Sequence, residues 1–130
     1  MRRAFLLFAA LSLAGCTMRS GTGAPAAHFA VFFQEWSAGL DHPALATIKT
    51  AAAAANRSPS LPLSVTGYAD PLGSEQANIF LSETRAQVVI DQLVADGVTR
   101  DRIHRHAAGI VGYKLTSQES RRVVITLGRS

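Results

Sequence analysis

Two residues of opposite charge frame the stretch VTGYADPLGSEQANIFLSETRAQVV. Asp70 stands where a hydrophobic run breaks into Pro-Leu-Gly, and Arg85 stands fifteen positions later, where an amphipathic run begins. A carboxylate accepts hydrogen bonds from a cation, and a guanidinium offers a planar fork of donors that fits a carboxylate. Two plainer readings stand beside that one. An aspartate before Pro-Leu-Gly also closes an ordinary turn by bonding its own backbone. An arginine on a helix near Glu83 is commonly a solvated surface residue.

Other chemistry is sparse. His104 and His106 share one face of a strand by alternation, a spacing able to hold a metal. The sequence places no third ligand, so the pair reads as exposed, and neither a metal nor another cofactor is expected. No H-E-x-x-H motif, glycine-rich phosphate loop or nucleophile elbow is present, so an enzyme is not expected either. Cys16 is the only cysteine, which excludes an internal disulfide.

That cysteine closes the opening MRRAFLLFAALSLAGC. Arg2 and Arg3 form a short positive region, and residues 4–14 an apolar run of signal-peptide length. Crossing a bilayer takes roughly 20 apolar residues. Leu13-Ala14-Gly15-Cys16 resembles the lipobox of bacterial lipoproteins, which implies removal of residues 1–15 and acylation of Cys16, with palmitate among the chains. Each buried CH₂ contributes about 0.8 kcal/mol, so several chains together anchor stably. Thr17 in place of aspartate resembles an outer-membrane address, which puts the chain on the periplasmic face. Residues 16–27 then read as the lipidated cysteine and a small, flexible linker, and 28–130 as one modest domain with one core.

The charge balance excludes another class of partner. Thirteen basic residues less Arg2 and Arg3 leave eleven against nine acidic ones, a net charge near +2. There is no lysine-rich run and no basic patch interleaved with aromatics, so no nucleic acid is expected as a partner.

The elements that must position Asp70 and Arg85 follow from periodicity. HFAVFFQEW (28–36), LPLSVTGYA (61–69), IHRHAAGIV (103–111) and RRVVITLG (121–128) read as strands. Asp41 caps a helix with Pro43 in its first turn, running to about Asn56. A second helical sequence starts at Ser74 and ends at Asp96, with Gly97 beyond it. The order βαβαββ predicts an α/β two-layer sandwich, a mixed four-stranded sheet with both helices on one face. The crossovers favour parallel pairing of the strands they join, and the last loop also permits antiparallel partners. The other sheet face is left wet or covered by a partner.

With these elements in place, GYADPLGSEQANIFLSETRAQVVIDQLVADGV, RIHRHAAG and RRVVITL together resemble the OmpA-like peptidoglycan-binding domain. Gly67, Asp70, Gly73, Asn78, Leu81, Ser82, Arg85 and Ala86 fall in register with the family pattern. The resemblance covers about 28–130 and implies a lipid-anchored outer-membrane protein that binds peptidoglycan non-covalently. In that family the aspartate and the arginine grip the amino-acid head of diaminopimelate in the stem peptide. Asp70 and Arg85 take those roles here, Asn78 orients the loop or touches the peptide, and one of Arg121 and Arg122, with Arg122 slightly favoured, reaches the site from the last strand. Arg121 and Arg122 point to opposite sides by alternation. The chain departs from the pattern at Ala69 (usually threonine), at Ser120 (usually asparagine) and in a shortened 109–121 segment. These departures also suit an alternative: an envelope protein-interaction or assembly subunit with weak or no wall binding.

A zwitterionic head needs an anion for its ammonium and a fork donor for its carboxylate. One unbroken helix from Ser74 would set Arg85 about 16 Å along its axis, too far from Asp70. A break near residues 80–82 is therefore expected, with Ser82 capping a second helix and its free N–H groups facing the carboxylate. Both charged residues are expected near the surface on one shallow pocket.

Overall fold

The computed structural model describes residues 26–69, 73–110 and 118–129. The signal-like segment, Cys16, most of the linker and Asp70 lie outside the described residues. Four strands and two helices follow one another as β1 (Ala27–Phe32), α1 (His42–Arg57), β2 (Leu63–Ala69), α2 (Glu75–Ala95), β3 (Ile103–Ile110) and β4 (Arg122–Leu127). Single 3₁₀ turns at Arg100–Arg102 and Glu119–Arg121 lead into the last two strands.

The sheet order is β1-β4-β2-β3. β2 and β3, joined by α2, run parallel, and β4 lies antiparallel to both β1 and β2. The mixed sheet is as expected, but one pairing is corrected. β1 and β2 run in the same direction without touching, because β4 occupies the place between them. The side chains explain this. Val123, Ile125 and Leu127 of β4 are buried toward the helices, and Thr126 is buried on the other face. A strand covered on both faces belongs in the middle of a sheet. On the open face His28 Nδ1 and Thr126 Oγ1 lie 3.1 Å apart, tying β1 to β4.

Both helices turn an apolar stripe to the same sheet face. Ala44, Ile48, Ala51, Ala52 and Ala55 of α1 and Ala86, Val89, Ile90 and Leu93 of α2 are buried against Val31, Leu63, Val65, Val123 and Ile125. The spacing is that of an amphipathic helix, and alanine lets α1 sit close. Asp41 caps α1 by accepting from the Ala44 N–H at 2.9 Å. α2 ends in a paired cap: the Val98 N–H donates to Leu93 O and the Gly97 N–H to Val94 O, both at 3.0 Å, with Gly97 at φ +102°. Arg102 reaches back to the end of α1, its Nη2 donating to the carbonyls of Ala55, Ser58 and Leu61 at 2.8–3.0 Å.

α2 is a single helix across the expected break. Its sequence holds neither proline nor glycine, so nothing in the backbone interrupts it. Ser82 does not cap a second helix; its hydroxyl donates back to Ile79 O at 2.8 Å. The cap is Ser74, which accepts from the Ala77 N–H at 3.4 Å.

β2 and α2 meet most closely at Gly67. A Cβ there would stand 2.5 Å from Ser82 O and 3.5 Å from Ala86 Cβ. The obstacle is helix backbone, which cannot rotate aside as a side chain can. Gly67→Ala should therefore push α2 off the sheet and cost about 2 kcal/mol, the usual scale of overpacking. Chemical denaturation of both proteins checks this; equal stability would show that the helix shifts freely.

Candidate functional site

The strands β1, β2 and β3 end at the same edge of the sheet, and β4 begins there. In open α/β sheets the carboxyl ends of strands are where ligands bind. The turn after β1, Gly73 just before α2 and the 3₁₀ turn before β4 lie near one another at that edge. Arg85 reaches it from the middle of α2.

Arg85 is 3% exposed. It lies on the inner face of α2 with Asn78, Ser82, Ala86 and Val89, and not at the surface as expected. Its Nε donates to Ser37 O at 2.7 Å and its Nη2 to Gln34 O at 2.9 Å. The guanidinium also sits 5.3 Å from the centroid of the Phe33 ring, within reach of a cation–π attraction. One side chain thus pins the turn after β1 to α2. Among the described residues no carboxylate stands within ion-pair distance of it. Burial, and then the neighbouring charge of Arg121, hold its pKa below the ordinary arginine value. The result is a buried cation with no carboxylate partner among the described residues.

Of the two arginines before and at the start of β4, it is Arg121 that the chain brings to Arg85. Arg121 pairs loosely with Glu35 at 3.9 Å, and its Nε is buried without a hydrogen bond. Arg122, expected at the site, lies on the other sheet face. It alternates with buried Val123, and its guanidinium stacks 4.7 Å from the centroid of the Tyr68 ring. Tyr68 in turn alternates with Gly67, which faces α2. Arg122 Nη1 also lies 4.0 Å from Glu119 Oε1. The structure therefore does not bring Arg122 together with Arg85.

Asn78 is buried in the first turn of α2, its Nδ2 3.8 Å from where a Cβ on Gly73 would stand. Ser120, in place of the family's asparagine, is 1% exposed. His104 and His106 are exposed on the open face, in register with Ser64 and Thr66. Among the described residues no three His, Cys, Asp or Glu side chains are grouped to hold a metal. Sequence reasoning missed the carbonyls of Gln34 and Ser37, because main-chain acceptors leave no signature in residue types. It also passed over Trp36, which the polar turn around it marks out.

A mixed sheet in this order, two helices on one face and a basic terminal edge define a domain of the OmpA-like class. The chain belongs to the OmpA family, whose model matches residues 32–123. It is similar to outer membrane protein A of Klebsiella aerogenes, 51% identical over 45 residues that make up 35% of this chain and 13% of that protein. It is also similar to the peptidoglycan-binding protein ArfA of Mycobacterium tuberculosis, 45% identical over 53 residues, 41% of this chain and 16% of that one. The chain thus spans under a fifth of the length of the curated relatives it matches. The peptidoglycan-associated lipoprotein of Burkholderia pseudomallei shares the fold, with a TM-score of 0.68 and 20% identity over 76% of this chain and 89% of that one.

Proposed function

We propose that this domain binds peptidoglycan non-covalently through the diaminopimelate head of the stem peptide. In this reading Asp70 takes the ammonium and Arg85 the carboxylate, while Asn78 orients the turn between them. A lipid on Cys16 keeps the chain at the periplasmic face of the outer membrane and so ties membrane to wall. Family membership and the wall-binding relative support the class of ligand. The single observation that carries the site is the buried Arg85, crowded by Arg121 and without a described carboxylate partner. A ligand carboxylate would relieve both the burial and the repulsion of like charge. Side chains on a helix lean toward its N-terminus, which shortens the distance that unbroken α2 leaves between Arg85 and the 70s turn.

One observation favours a second reading, an envelope docking or assembly subunit with weak or no wall binding. Arg85 is nearly closed to solvent, and two of its nitrogens are already engaged by carbonyls. Co-sedimentation with purified sacculi separates the readings. The wall reading places the chain in the pellet; a folded chain left in the supernatant decides for the second. The anchor is tested apart from the domain. Cys16→Ala should abolish palmitate labelling and leave the chain soluble or as an unprocessed precursor. A processed variant that still fractionates with membranes would remove the lipoprotein claim.

A further inference from the structure

We propose that Trp36 is a platform on which a sugar ring of the glycan strand stacks beside the stem peptide, an inference that rests on the peptidoglycan reading of this site. Trp36 is the only tryptophan in the chain, and 65% of it is exposed. Its backbone adopts φ +52°, the sole positive φ at a described residue other than glycine. A bulky residue in that region is strained, and such strain persists where surrounding contacts impose it. The contacts here are those of the site itself. Trp36 lies between Gln34 and Ser37, whose carbonyls hold the Arg85 guanidinium, and the Ser37 N–H closes the turn on Gln34 O at 3.2 Å.

The indole points across the edge of the sheet. Its Cη2 comes within 3.8 Å of where a Cβ on Gly73 would stand, the same distance from that point as Asn78 Nδ2. The ring therefore extends from the turn after β1 to the residues that open α2, beside the place assigned to the stem peptide. A stem peptide joins its sugar within a few residues, each spanning at most about 3.6 Å. Glycan and Trp36 are then within reach of each other while the peptide occupies the Asp70–Arg85 grip. A pyranose presents one face of C–H bonds, which suits the negative face of an aromatic ring, and its hydroxyls remain in water at the rim. Phe80, exposed on α2 at 69%, lacks this tie to the residues that hold Arg85.

The test uses the full chain in detergent and two probes, a disaccharide-tetrapeptide and the same tetrapeptide without sugars. Calorimetry should show the sugar-bearing probe binding roughly tenfold more tightly. The emission of the lone tryptophan should shift with that probe and stay constant with the bare peptide. Trp36→Ala should erase the difference between probes and leave the affinity for the bare peptide unchanged. Trp36→Gly, which relieves the left-handed backbone, should do the same in a protein at least as stable. Equal affinity of the native chain for both probes overturns the platform and leaves the peptide grip standing. So does an emission shift that follows lipid vesicles and not the sugar-bearing probe. Binding of neither probe ends the wall reading, and the platform with it.

Discussion

Arg85→Ala is expected to lower the thermal midpoint of the domain by roughly 10–30 °C, and to weaken binding of a diaminopimelate peptide at least about tenfold. The first effect follows from burial. The substitution leaves the carbonyls of Ser37 and Gln34 without their donor, and a hydrogen bond from a charged donor is worth about 1.5–3 kcal/mol. The attraction to Phe33 is lost too. Against this, removing a buried cation relieves its desolvation and its repulsion by Arg121. A net loss of about 2–4 kcal/mol remains, and a domain of this size shifts by about 4–8 °C for each. Arg85→Met separates the contributions, since it refills the space without restoring a donor and should fall between alanine and the native residue. Arg85→Lys keeps the charge but loses the fork. Scanning calorimetry reads all three. A midpoint for Arg85→Ala within a degree or two of the native protein would mean that the guanidinium does not hold the turn after β1.

The same residue shows how far the site was legible. Ser82, Arg85, Ala86 and Val89 fall at helical spacing on one face, so an inner position for Arg85 could be read from the chain. Its residue type argued the other way, because arginine is rarely buried. The helix break came from the reach a ligand demands, while residues 75–95 contain nothing that stops a helix. Strands, helices and caps were legible because periodicity and capping chemistry are local. Strand order was not, since a crossover sets the direction of β2 relative to β1 and says nothing of what slips between them. A local signal did favour Arg121: it shares its alternation with Val123, Ile125 and Leu127, the more apolar set of β4.

Because Arg85 holds the turn after β1 to α2, its loss cannot alone decide whether the domain grips a wall peptide. Asp70→Ala is the sharper test, and it should weaken binding of the diaminopimelate peptide by roughly 10- to 100-fold. Losing the carboxylate leaves the ligand ammonium without its counter-charge, and charged hydrogen bonds of this kind contribute about 1.5–3 kcal/mol, with 1.4 kcal/mol for each tenfold. The ligand can be varied to match. A peptide with lysine in place of diaminopimelate keeps the side-chain ammonium and lacks the carboxylate beside it, so it removes the carboxylate proposed to meet Arg85 without touching the fold. The native chain should bind that peptide about tenfold or more weakly. Asp70→Ala should then weaken it further, since the ammonium that aspartate serves is still present. Raising the salt should erode the native affinity more than that of the variant, because screening acts on the charge the variant has lost. Titration of both proteins with both peptides, each at low and high salt, gives the answer. Equal affinities for native chain and Asp70→Ala across the set, in two proteins that melt alike, would remove Asp70 from the site.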